Sequence, residues 1–178
     1  MANGSSKLIA AVLVACLALA APAAARDGAA SRTTAQNALE RSLLGEINAF
    51  RSSRGLAPLR LNGRLSAAAG AHSKAMIGAG FFSHSSRDGT PFWQRVSRWY
   101  GSRGYRSWRV GENLLWASPN VSASNALRMW LASPPHRANL LNRRWREIGL
   151  AALHASSAPG TFGGREVTVL TADFGVRR

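Results

Sequence analysis

The apolar spacing of this chain changes its period once, and that change limits the folds open to it. Leu39, Leu43, Ile47 and Phe50 recur at steps of three and four from Ala35 until Gly55, the mark of a helix with one buried face. The chain closes instead on two strand-like runs, EIGLAAL (147–153) and EVTVLTADF (166–174), joined by a loop that holds Gly163 and Gly164. Between them, Asn62 stands as N-cap to a second helix carrying Leu65, Ala68, His72 and Met76, which Gly78 and Gly80 end. Thr90 and Pro91 read as cap and first residue of a third helix with Phe92, Val96 and Trp99 inward, closed by Gly101 and Gly104. Ser122 or Ser124 can cap a fourth with Ala126, Leu127, Trp130 and Leu131 apolar, and Pro134-Pro135 ends it, leaving His136 in a loop. Helices first and strands last predict an α+β fold with helices packed on an antiparallel sheet.

The 178 residues suit one domain of ordinary size. Lys7, the apolar run Leu8 to Ala21, and the small residues up to Ala25 before Arg26 have the order of an export signal, with cleavage expected after Ala25. That run is shorter than the roughly 20 residues a membrane span needs, so no transmembrane segment is expected in the mature protein. Leu13-Val14-Ala15-Cys16 resembles a lipobox that would leave a lipid on Cys16, but the apolar residues after it fit an uncleaved signal better than a lipoprotein start. The expected division is therefore 1–25 signal peptide, 26–36 flexible linker and 37–178 folded domain. Cys16 is the single cysteine, so a chain cut after Ala25 has no disulfide, thiol nucleophile or cysteine-held zinc. Its core must hold the fold unaided, as an expected monomer.

The formal charge of +15 comes almost wholly from arginine, the lysines being Lys7 and Lys74. Such a surface attracts anionic partners, envelope polymers among them. The bases are scattered from Arg32 to Arg178, which reads as a solvated surface rather than a specific nucleic-acid site, and export removes the protein from cytosolic nucleic acid. One denser stretch, HRANLLNRRWREIG, brings Arg137, Arg143, Arg144 and Arg146 near Trp145 and offers a nonspecific polyanion reading.

Four histidines follow the signal. His72 lies on an apolar helix stripe and reads as packed and bonded to backbone, while His154 ends a strand and reads as solvated. His84 and His136 flank helix ends, where side chains can converge. Glu112 joins them because it is one of only eight acids and stands in the otherwise apolar RVGENLLW; if buried it needs a partner such as an imidazole.

The ordered series INAFRSSRGLAPLRLN, AHSKAM, FFSHSSRDGTPFWQRV, GYRSWRVGENLLW, WLASPPHRANLLN, EIGLA and DFG, over roughly residues 40–175, resembles the CAP (SCP-like) superfamily of cysteine-rich secretory proteins, antigen 5 and plant pathogenesis-related proteins. The likeness is to its cysteine-free, secreted bacterial branch. It implies an α-β-α sandwich of about four helices around a small antiparallel sheet. It also implies a cleft built on His84, Glu112 and His136. The position of a second family glutamate, three residues after Trp130, holds Ser133 instead, and Asp88 is the other candidate for a fourth cleft residue.

Two imidazoles and one carboxylate with open positions are the donor set of an exchangeable zinc site, so His84, His136 and Glu112 are candidate ligands for zinc or another divalent cation. The other reading is a hydrogen-bonded network that braces the loops. Binding of a lipid or other small hydrophobic ligand fits the resemblance, and Trp93, Trp99, Trp108, Trp116, Trp130 and Trp145 supply apolar surface, although packing is the first expectation for each. Metal-dependent hydrolysis of an extracellular peptide or envelope polymer is the alternative, with Asp88 or Ser133 moving the proton. Asp173-Phe174-Gly175 matches a kinase triplet, but no phosphate loop or strand lysine accompanies it, and it reads as the end of the last strand.

Overall fold

The computed structural model describes residues 23–178, with side chains from Asn37 onward, so residues 1–22, including Cys16 and most of the export-signal pattern, lie outside the described residues. Helix α1 (Ala23–Ser52) carries Leu43 and Ile47 inward and runs back through residues 26–36, where composition predicts a linker; the alanines there favour helix. A two-residue strand β1 (Arg60–Leu61) leads to α2 (Gly63–Ala79). Asn62 caps α2 as expected, its Oδ1 accepting from the backbone N–H groups of Arg64 and Leu65, and Gly80 closes it with φ 66°.

Helix α3 (Phe92–Ser97) starts one residue later than the Thr90-Pro91 pair predicts. Pro91 is its cap, and the Thr90 N–H is held by Asp88 Oδ1 instead. The helix is also shorter than expected, so Trp99 falls beyond it and is 45% exposed while Tyr100 turns inward. Strand β2 (Trp108–Ala117) takes up the apolar segment around Glu112. Helix α4 (Ala123–Ala132) is capped by the Ser122 hydroxyl. Pro134-Pro135 does end it, but the same prolines start a fifth helix, α5 (Pro134–Leu141), so His136 sits in a first helical turn and not in a loop. The physical reason is that proline's fixed φ and missing N–H suit a helix start as well as they forbid its continuation. Strands β3 (Glu147–Ala158) and β4 (Arg165–Arg177) complete the chain.

The sheet order is β1-β3-β4-β2. It is mixed rather than wholly antiparallel, because β1 pairs parallel to β3 through Arg60 opposite Glu147. Alternation along the strands separates two cores. On one face Ile148, Leu150, Leu170, Phe174 and Val176 pack with Leu43 and Ile47 of α1, Trp130 of α4 and Leu140 of α5. On the other, Leu114, Val167 and Val169 pack with Met76 of α2, and Leu65 and Ala68 meet Val96 and Tyr100. The result is the expected α-β-α sandwich, with five helices among the described residues. Gly149 explains how closely α2 can lie on the sheet: a Cβ there would overlap the backbone of Leu65 and Ser66.

Candidate functional site

Glu112 lies on β2 with the same parity as Leu114, so its side chain enters the α2–α3 face, and it is 4% exposed. A carboxylate buried there requires partners, and two arrive from neighbouring elements. His84, in the loop between α2 and α3, places Nδ1 2.8 Å from Glu112 Oε1. Arg95 of α3 donates from Nη2 to Glu112 Oε2, and also to the His84 carbonyl at 3.4 Å. Burial alone would raise the Glu112 pKa, but the bond from His84 and the Arg95 charge overcome it and the net shift is downward. The carboxylate therefore stays ionised, and His84 must hold its proton on Nδ1 to donate. In the neutral ring the other nitrogen, Nε2, is then an acceptor, on a side chain that is 52% exposed with the Phe92 ring edge-on 6.4 Å away.

From the opposite layer, α5 meets the sheet at edge strand β2, and His136 does so through its backbone. Its backbone carbonyl accepts from Asn113 Nδ2 at 3.1 Å, and Asn139, one helical turn on, donates from Nδ2 to the Glu112 carbonyl and to Asn113 Oδ1. Gly111 gives Asn139 room, since a Cβ there would lie 3.0 Å from Asn139 Oδ1 and 2.8 Å from the Trp145 ring. Partial burial, and then the nearby His84, lower the His136 pKa, which favours its neutral form.

The remaining sequence candidates stand apart. Asp88 is fully exposed and its Oδ1 accepts from the Thr90 N–H, so it shapes the loop and does not join the cleft. Ser133 sits between α4 and α5, and among the described residues its hydroxyl makes no hydrogen bond to His84, Glu112 or His136. His72 is packed as expected, 1% exposed, with Nε2 2.8 Å from the Ser83 carbonyl. His154 is not the free strand-end side chain that the sequence suggests: it lies within β3, where Thr168 Oγ1 and Glu166 Oε1 each lie 3.3 Å from a ring nitrogen. Trp145 does not serve the basic stretch, because it is 5% exposed and stacked on Phe174.

Two members of the site went unnoticed in the sequence. Arg95 lies three residues after Phe92 and beside Val96 on the face of α3 expected to be inward, and that spacing was the available signal in a chain crowded with arginine. Asp173 is the cross-strand neighbour of Glu112, with 0% exposure and, among the described residues, no donor to either carboxylate oxygen. Burial, then the charge of Glu112, push its pKa well above the usual carboxylate range. Its signal was a lone acid inside a strand apolar on both faces.

As arranged, the Glu112 carboxylate is already engaged by its neighbours. Both Glu112 oxygens are engaged by Nδ1 of His84 and Nη2 of Arg95, and among the described residues no three His, Cys, Asp or Glu side chains are grouped to hold a cation. The zinc expectation for His84, Glu112 and His136 therefore finds no preformed cage.

The fold agrees with what the comparisons find. Residues 44–174 match the cysteine-rich secretory protein family, CAP, and the chain belongs to that family. YkwD of Bacillus subtilis is 30% identical over 128 residues, 71% of this chain and 47% of that protein, so the chain spans about half the length of this curated relative. An extracellular SCP-domain protein of Bacillus anthracis superposes with a TM-score of 0.63 at 26% identity, covering 83% of this chain and 43% of its own. An outer surface protein of Borrelia burgdorferi shares the fold, with a TM-score of 0.58 at 23% identity over 76% of this chain and 90% of its own. No helix among the described residues is long and apolar enough to cross a membrane.

Proposed function

We propose that this is an exported CAP-domain protein that binds a small, hydroxyl-bearing ligand, lipid or otherwise, at the rim of β2 between His84 and His136. One observation carries the reading: buried Glu112 fixes the proton of His84 on Nδ1, so an acceptor nitrogen of set orientation faces solvent. A ligand hydroxyl would donate to Nε2 and lie against Phe92, the half-buried aromatic beside it. Export is supported by the N-terminal pattern and by the extracellular Bacillus anthracis relative.

The test is retention of a labelled sterol, fatty alcohol or monoacylglycerol by the protein, compared with His84→Ala and His136→Ala. Retention lost in both variants, with folding intact, is expected. No retention of any of the three, or equal retention by the variants, would overturn the reading. Near-stoichiometric heat on adding zinc to metal-stripped protein, abolished in both variants, would replace it with a metal site.

The same dyad favours one second reading, a hydrolase in which His84 Nε2 takes a proton from water. It lacks a serine or threonine hydroxyl bonded to the imidazole, Glu112 being the one side chain bonded to His84 among the described residues. A peptide or peptidoglycan assay with no turnover by the wild type would remove it.

A further inference from the structure

Apart from that proposed site, a cavity opens between α2 and α3, and we infer that it is a binding site for a small oxyanion carrying a hydroxyl, a hydroxycarboxylate or a phosphate monoester. The cavity has a volume of about 390 Å³, within the size range of small-molecule sites, and His72, Arg95, Arg98 and Trp99 line it. Its floor is polar and unsatisfied. Arg95 is 7% exposed, and while Nη2 serves Glu112 and His84, Nε and Nη1 have no acceptor among the described residues. Buried donors without acceptors are costly, and an incoming anion answers that deficit with charge-assisted bonds.

The charge around the opening is one-sided. Arg98, one turn beyond Arg95, makes no ion pair among the described residues, and Lys74 and Arg87 stand along the adjoining hollow that shares Ala71 and Ala75. The acid in reach of Arg98 is Asp88, already held by the Thr90 backbone. Ser86 lines the cavity with a hydroxyl that has no protein partner among the described residues. Where α2 could have filled the space it has only the methyl groups of Ala71 and Ala75, and Trp99 provides a flat wall that is 45% exposed.

His72 defines the hydroxyl. Its Nε2 must donate to the Ser83 carbonyl, so in the neutral ring Nδ1 is a lone pair, buried and without a donor among the described residues. Burial, and then the Arg95 charge, lower the His72 pKa and keep that lone pair free. A simple carboxylate would repel it, whereas a neighbouring O–H would satisfy it. Arg95 thus joins two sites, holding Glu112 on one side and the ligand anion on the other.

The experiment is an NMR titration of the full ¹⁵N-labelled chain with lactate, inorganic phosphate and acetate, following the Trp99 indole N–H. Two variants accompany it: Ala75→Leu, which fills the cavity from an exposed helix position and keeps every charge, and Arg98→Gln. Expected are saturable shifts with lactate and phosphate, weaker binding of acetate, and affinity about tenfold lower in each variant, the scale of one lost charge-assisted contact. His84 resonances report the first cleft separately, so failure there leaves this result readable. Absent shifts, non-saturating shifts, equal affinity for lactate and acetate, or unchanged affinity in a folded Ala75→Leu protein would each overturn the proposal.

Discussion

The two faces of the sheet solve the burial problem differently. The face under α1, α4 and α5 is filled by Leu43, Ile47, Trp130, Ile148, Leu170 and Phe174, an apolar cluster. The face under α2 and α3 has smaller apolar clusters and, at its end near β2, buries Glu112, Arg95, Asp173 and His72. Fixed charges in a low-dielectric setting stabilise less than a packed core of equal volume, yet they hold orientation. The apolar face therefore supplies stability and the polar face supplies the set geometry of His84.

Phe174→Ala on the apolar face is expected to cost about 3–5 kcal/mol in denaturant unfolding, because it empties a site stacked on Trp145. Glu112→Ala on the polar face is expected to cost a similar ~3–5 kcal/mol by leaving Arg95 unpaired. The faces then part: Glu112→Leu combined with Arg95→Met should regain most of that loss while abolishing ligand retention, and no recovery would show that the ion pair itself stabilises the fold. Gly149→Ala, between α2 and the sheet, should cost about 1–3 kcal/mol or more by overpacking.

The pH dependence sharpens the contrast, since the polar face titrates. The lowered pKa of His72 means that its contribution is present above its unfolded value of ~6.5 and is lost as pH falls below it. The raised pKa of Asp173 works oppositely: stability is lost as pH rises from the unfolded value of ~3.9 toward the folded one. Asp173→Asn should therefore gain stability at neutral pH, with the gain vanishing toward pH ~4, whereas His72→Gln should flatten the acid limb of a thermal melt. The smallest effect is Asn62→Ala, about 1 kcal/mol from a lost helix cap.

What could be read in advance followed local rules. Asn62, Gly80 and Ser122 act through neighbours in sequence, so the helix borders they set were visible. His84 and Glu112 were visible because rare residue types stood in motifs. Arg95 and Asp173 were not, since their roles arise from a cross-layer approach and a strand register that no local pattern encodes. The Pro134-Pro135 pair misled by the same logic: its helix-stopping effect is local, but whether a new helix begins depends on where residues 136–141 can pack, and Leu140 finds a fully buried place.

One more consequence follows from the rim of β2. The Glu112 carbonyl accepts from Asn139 Nδ2 at 3.1 Å and the Leu114 carbonyl accepts from Trp130 Nε1 at 3.1 Å, two residues apart on a ten-residue strand with one neighbour. Those are acceptors that a foreign strand would otherwise use to extend the sheet. The two helices thus act as a seal against polymerisation as well as a mount for His136. Asn139→Ala should therefore turn a monodisperse solution into one that adds copies edge to edge.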